Sequence, residues 1–234
     1  MVIDQPDYCR RPSLFSTLRE IGTPLEVTRL ARYSNQLMKA PRGDKRPIVL
    51  LPGFQSPEIA LQPLSAYLNY LGYSASTWGF GVNTGKVDEL TLKFGERLAR
   101  QAEEAGEPIT LIGWSLGGII ARETARLFEN SVREVITMGT PLIGGPKYTS
   151  VGSVFARQNG IDLDEFEKEV HRRNSIGLTQ PLTCIYSKSD GIVGWTAAID
   201  VYNPQARNVE VDSTHFGLGV NPKVWTIVAE TLVP

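Results

Sequence analysis

Histidine and cysteine are both scarce, with two of each in 234 residues. Cys9 and Cys184 lie far apart, and Cys184 falls in an apolar run that reads as a buried strand. A disulfide scaffold is therefore excluded, and a reducing compartment is allowed. No cluster of His and carboxylates stands at metal-ligand spacing and no Gly-rich phosphate loop is present, so neither a metal nor a cofactor is implied. An excess of one charge is also lacking. With 24 Lys and Arg against 25 Asp and Glu, the formal net charge is -1, which gives no general attraction to nucleic acid. No stretch reaches about 18 apolar residues. The opening MVIDQPDYCRRP has no basic region followed by an apolar core, so neither a membrane span nor a secretory signal is expected, and the expected location is cytoplasmic. No internal repeat or low-complexity tract appears.

A chain of this length with 41% apolar residues is ample for one large domain, and we expect residues 1–234 to form one α/β domain. From Arg46 onward, short apolar runs alternate with helical patterns, the signature of a mostly parallel sheet covered on both faces. The strands are expected at Ile48 to Leu51, Ser74 to Trp78, Ile109 to Ile112, Val132 to Met138, Thr183 to Tyr186 and Asn208 to Val211. Helices are expected at Ala60 to Leu71, Val87 to Ala105, Gly118 to Phe128 and Pro222 to Leu232.

The stretch from Pro108 to Phe128 carries the chemistry. Ile109, Leu111 and Ile112 make a strand run, and apolar residues resume at helical spacing after Ser115, so the serine sits where strand becomes helix. Such a turn forces an unusual backbone conformation on the serine. Side chains at Gly113 and Gly117 would then collide with the neighbouring strand and helix. The pattern G-x-S-x-G in this setting is a nucleophile elbow, which lifts the hydroxyl out of the sheet beside the positive end of a helix.

A serine nucleophile needs a base, and only His171 and His215 are available. His171 lies in LDEFEKEVHRRN, which reads as an exposed charged helix, whereas His215 follows the last apolar strand. His215 is the expected base. The acid that orients it should lie between 115 and 215 at a strand end, and Asp190 closes the run CIYSKSDG in that way. Asp164, Asp200 and Asp212 compete for the role, but each falls in a setting usual for a solvated carboxylate. The first strand ends in Leu51-Pro52-Gly53-Phe54, at the carboxyl edge where ligands gather in this architecture. We expect the backbone N–H of Phe54 and that of Leu116 to form the oxyanion hole.

Two segments should shape the substrate site. Phe80, Val82 and Asn83, in the loop after the second strand, are candidates for its wall. Residues 142–180 exceed what a crossover needs and read as a short helical cap over an acyl chain, with Phe155 and Phe166 among its apolar residues. Charge is uneven in one place only: residues 10–46 hold nine Lys or Arg and three Asp or Glu. There, 1–45 reads as a basic segment of two helices. One runs from Ser13 with Leu14, Phe15, Leu18 and Ile21 on one side. The other is opened by Thr23-Pro24-Leu25-Glu26 as a capping box and continued by Leu30, Tyr33, Leu37 and Met38. We expect the apolar face of the pair to pack on the acidic body; the alternative is peripheral contact with a membrane or lipid interface.

Taken together, LLPGF at 50–54, GWSLGG at 113–118, MGTP at 138–141, YSKSDGIVGW at 186–195 and STHFGLGVNP at 213–222 resemble the α/β-hydrolase superfamily, more narrowly its small lipase-like and esterase-like serine hydrolases. The resemblance covers about residues 46–233. It implies ester hydrolysis through an acyl-enzyme on Ser115, with a small-molecule or lipid ester as substrate. An acyltransferase or thioesterase using the same triad is the alternative, and a non-catalytic binding protein of the fold is a third class. Two features depart from the pattern. Leu51-Pro52 stands where a histidine usually precedes the oxyanion glycine, and the two leading antiparallel strands are absent. The latter implies a sheet of about six strands, with the N-terminal helices in the place of those strands.

Overall fold

A computed structural model describes residues 9–233, together with the backbone but not the side chains of Leu14, Pro24, Leu25, Glu26, Val27, Arg29 and Ala31. Most of the opening MVIDQPDYCRRP, and the side chains of Leu14 and Glu26, therefore lie outside the described residues. Six strands form one sheet in which every pairing is parallel: β1 (Pro47–Leu51), β2 (Ser74–Thr77), β3 (Ile109–Trp114), β4 (Val132–Met138), β5 (Leu182–Tyr186) and β6 (Arg207–Glu210). Each lies within two residues of its expected position. The order is β2-β1-β3-β4-β5-β6, so the chain reverses direction of winding between β1 and β3. That reversal opens a crevice at the carboxyl ends of β1 and β3, the place where ligands bind in open α/β sheets.

Alternation along the strands divides the core. Ile48 and Leu50 of β1 join Ile112 and Trp114 of β3 in one cluster, under α3 (Gln62–Leu71) and α8 (Pro222–Thr231). Val49, Leu51, Ile109 and Leu111 belong to the other, under α4 (Val87–Ala105) and α5 (Leu116–Leu127). The central strands read as continuous apolar runs because both faces are covered. Cys184, in β5, is buried and unpaired, and burial pushes its thiol up to about 11. None of the helices among the described residues is long and apolar enough to cross a membrane.

Residues 142–180 contain α6 (Gly152–Asn159) and α7 (Leu163–Asn174), in keeping with the helical character expected there. The N-terminal segment departs from expectation in three ways. First, α1 (Leu14–Arg19) runs through one 3-10 turn directly into α2 (Thr23–Leu37), with Gly22 rather than Thr23 at the cap position. Thr23 is already helical, and its Oγ1 donates to the Glu20 carbonyl at 2.7 Å and meets Thr214 Oγ1 at 3.0 Å, so it makes no capping box. Second, of the expected apolar face α2 buries Leu37 and half-buries Leu30, while Tyr33 and Met38 stay exposed. Phe15, Leu18 and Ile21 are 73%, 65% and 78% exposed, which corrects the expectation that the first helix packs on the body through its apolar face. Third, α2 packs on α8 and on the 217–220 turn, so it does not stand in for missing strands at the open edge beside β2.

Candidate active site

Ser115 is the residue on which the sheet and α5 turn. Its φ of 54° and ψ of -123° lie in a region that side chains avoid, and such strain persists only where the surroundings over-determine it. The surroundings here are tight. A Cβ at Gly113 would stand 2.3 Å from Gly118 Cα, and one at Gly117 would stand 2.2 Å from the Leu51 carbonyl oxygen. The collisions expected from the sequence are thus real ones, with α5 behind and β1 beside. The MGTP run holds the serine's backbone from β4: Ser115 N–H donates to the Met138 carbonyl at 2.8 Å, and Thr140 Oγ1 donates to the Ser115 carbonyl at 2.9 Å.

Asp190 and His215 face each other after β5 and β6. Asp190 Oδ2 lies 2.7 Å from His215 Nδ1, and both side chains are almost wholly buried. The other carboxylate oxygen, Oδ1, accepts the backbone N–H groups of Ile192 at 2.8 Å and Val193 at 2.7 Å, which fixes the carboxylate plane. Room for the pair comes from Gly139, where a Cβ would lie 3.0 Å from Asp190 Oδ2 and 3.1 Å from His215 Nδ1. Trp114 Nε1 donates to the His215 carbonyl at 3.1 Å, and its ring lies 5.6 Å from the imidazole. The sequence reading missed this tryptophan.

The competing groups are engaged elsewhere. His171 Nδ1 lies 3.2 Å from Tyr202 Oη. Asp164 pairs with Lys147 at the surface, and Asp212 accepts from Ser189 Oγ. Asp200 is a correction to the solvated carboxylate expected: it is buried, accepts from Arg122 at 2.6 Å and caps the turn at Tyr202 and Asn203.

Two cavities meet at Ser115. The narrow one, about 60 Å³, runs between α5 and α7 and is lined by Leu116, Ile119, Phe155, Phe166 and Val170. The wide one, about 540 Å³, lies on the other side of the serine and is lined by Trp114, Ile192, His215, Phe216 and Val220. Phe54 borders both, with its ring edge-on to Phe155 at 5.2 Å. A Cβ at Gly53 would come within 3.1 Å of Ser115 Cβ, so the loop after β1 presses against Ser115 as its glycine suggested. Leu116 opens α5, and its N–H belongs to the first turn, outside the helix's own ladder.

Phe155 and Phe166 therefore lie where the sequence reading put them, but Phe80, Val82 and Asn83 line neither cavity. Phe80 packs against Trp78 with Arg97 over its ring at 4.3 Å, drawn to the α4 side of the sheet. Val82 is largely exposed and bridges to Pro57. Asn83 is buried and supports the loop after β1 instead: Nδ2 donates to the Pro52 carbonyl at 2.8 Å, and its own carbonyl accepts from Gln55 N–H at 2.8 Å.

Solved structures resemble this fold over most of the chain. A lipase from Bacillus licheniformis, BlEst2, superposes with a TM-score of 0.63 at 16% identity, covering 84% of this chain and 95% of that one. The fold is that of the α/β-hydrolases. A monoacylglycerol lipase from Paleococcus ferrophilus gives a TM-score of 0.61 at 16% identity over 82% of this chain and 96% of its own. The thioesterase domain of the curacin biosynthetic pathway gives 0.53 at 16% identity over 83% and 93%. No family model and no curated protein sequence matches the chain.

Proposed function

We propose that this α/β-hydrolase is a serine carboxylic ester hydrolase acting through Ser115, His215 and Asp190. The observation that carries the reading is the buried Asp190–His215 contact on the wall of a cavity that the strained Ser115 also lines. Ionised Asp190 fixes the proton on His215 Nδ1 and leaves Nε2 free to accept. As Ser115 Oγ bonds to the ester carbonyl carbon, its proton passes to Nε2, and the developing oxyanion is met by the N–H groups of Phe54 and Leu116. The imidazolium then returns that proton to the departing alcohol oxygen as the carbon–oxygen bond breaks. Water, deprotonated by the same imidazole, attacks the acyl-enzyme, and the imidazolium returns that proton to Ser115 Oγ as the acyl carbon–Oγ bond breaks, releasing the acid and free serine.

Geometry also orients the ester. The leaving oxygen must face His215 to be protonated, so the alcohol portion belongs in the wide cavity and the acyl portion in the narrow slot under residues 142–180. Those residues then act as the cap. Phe15, Leu18 and Ile21 stand exposed on a segment rich in Arg and Lys, which favours substrate delivered at an anionic lipid interface.

A p-nitrophenyl ester panel, run with and without an alcohol acceptor, tests the reading and separates hydrolysis from acyl transfer. Ser115→Ala should remove more than about a hundredfold of the turnover and all covalent labelling by a phosphonate probe. Retention of either by the folded variant would overturn the assignment. Sedimentation with vesicles containing anionic phospholipid, compared with neutral vesicles, checks the interface.

A further inference from the structure

Glu20 stands among basic residues far from the catalytic segments in sequence, yet its carboxylate lies against both of their loops. Oε1 accepts the backbone N–H of Gly191 at 2.8 Å and that of His215 at 2.8 Å. Oε2 accepts the N–H of Phe216 at 3.1 Å. Glu20 thus holds the residue after Asp190, and His215 together with the residue after it. We infer that Glu20 is a positioning residue of the active site, an ionised clamp that sets the distance between the acid loop and the base loop; this rests on the triad assigned above.

The rest of the segment makes the clamp rigid. Thr17 Oγ1 donates to the Gly191 carbonyl at 2.9 Å, Arg19 reaches Ser189 Oγ at 3.0 Å, and Thr23 meets Thr214 at 3.0 Å. The approach is close enough that a Cβ on Gly191 would stand 2.3 Å from the Ser16 carbonyl oxygen. Hydrogen bonds from N–H groups to an ionised carboxylate are the stronger kind, and three of them converge here. Without the carboxylate, the part-buried N–H groups of Gly191 and His215 and the exposed N–H of Phe216 lose their acceptor, and each buried loss disfavours the arrangement that made it. The loops would relax apart, and Asp190 Oδ2 would leave His215 Nδ1. Glu20 itself lines neither cavity that Ser115 lines, so the effect falls first on the Asp190–His215 contact and shows in kcat before KM.

The test compares Glu20→Ala, Glu20→Gln and Tyr67→Phe with the parent on a soluble short-chain ester. Tyr67 Oη donates to the Leu37 carbonyl at 3.1 Å, so its variant loosens the end of α2 without touching the loops. Glu20→Ala should lower kcat by about tenfold to a hundredfold with KM within about twofold, because small misplacements of catalytic groups cost that much. The low-field proton resonance of His215 Nδ1 should weaken or vanish. Glu20→Gln keeps one acceptor oxygen for two of the N–H groups and should fall between; it decides the matter if the alanine variant does not fold. Tyr67→Phe should lower the unfolding midpoint and leave kcat alone. Unchanged kcat in folded Glu20→Gln and Glu20→Ala, or a rise in KM alone, would overturn the inference. Should Ser115→Ala retain turnover, the hydrolase reading fails by itself, and the Nδ1 resonance still judges Glu20 without any substrate.

Discussion

Asp190→Asn isolates the electrostatic part of the proposed mechanism. Asp190 Oδ1 accepts two backbone N–H groups, from Ile192 and Val193, while Oδ2 faces a single partner, His215 Nδ1. An asparagine must place its one acceptor and its one donor group on these two sides. Turning the NH2 toward Ile192 and Val193 would set donors against two donors, so the amide oxygen takes that side and the NH2 faces His215. Nδ1 must then present its lone pair, and the proton moves to Nε2, where it can no longer take the proton of Ser115. The backbone around 190 keeps both of its hydrogen bonds, so the fold should be little disturbed. A wrong tautomer with intact geometry lowers kcat by about ten-thousandfold, which is about 5.5 kcal/mol at 1.36 kcal/mol per factor of ten. Steady-state hydrolysis of a p-nitrophenyl ester, with thermal unfolding measured in parallel, reads both quantities. A folded Asp190→Asn protein that keeps kcat within about tenfold of the parent would refute the role given to Asp190.

Asp200→Ala should do the opposite: it strands the Arg122 guanidinium, whose Nε and Nη2 already lack partners, and should cost about 3–5 kcal/mol of stability by denaturant titration while kcat of the folded protein holds. Phe155→Ala and Phe166→Ala should raise KM for longer acyl esters and spare short ones, read from a chain-length series; equal effects at every length would remove the cap from binding. Glu134 is buried on β4, and burial raises its pKa above the usual carboxylate value despite the Thr110 hydroxyl. The folded chain therefore holds the proton that the unfolded chain releases, and this contribution to stability is lost as pH rises through the folded pKa. Glu134→Gln should gain stability relative to the parent as pH rises above about 4.5 and lose that gain below it, as followed by urea midpoints.

The parts that were legible in the sequence are those fixed by local sterics. Gly113 and Gly117 announce the strained turn at Ser115 because the atoms they avoid, in α5 and β1, belong to the same strand–turn–helix unit and its neighbour. The meeting of Asp190 with His215 was legible from the order in which strands end, which the β/α alternation carries. What was hidden depends on long-range contact. Trp114 reaches His215 across 101 positions and Glu20 reaches it across 195, and neither has a period or a motif to mark it. Phe80 looked like cavity wall because its loop follows a strand at the correct edge, but Arg97 and Phe94 of α4 draw the ring to the far face. Phe15, Leu18 and Ile21 have helical spacing that suggests burial; periodicity names a face, not what covers it.

The division of labour in the site follows from where each strand lies. Ser115 leaves β3, a central strand paired on both sides and buried over its whole length, so the strained serine is held by the sheet itself. Asp190 and His215 leave β5 and β6 at one end of the sheet, and β6 is a four-residue edge strand with most of its residues exposed. An edge strand has one neighbour to fix it, so the loops that follow need fastening by side chains. The fastenings are present: Ser187 Oγ donates to the Ser213 carbonyl at 2.6 Å and accepts from Ser213 N–H at 3.2 Å, Ser189 Oγ donates to Asp212, and Trp114 reaches across from the centre. All of these tie one side of the two loops to the sheet or to each other. Glu20 closes the solvent side, where no strand is available. The N-terminal segment, through Glu20, is therefore a further fastening of the two loops that follow β5 and β6.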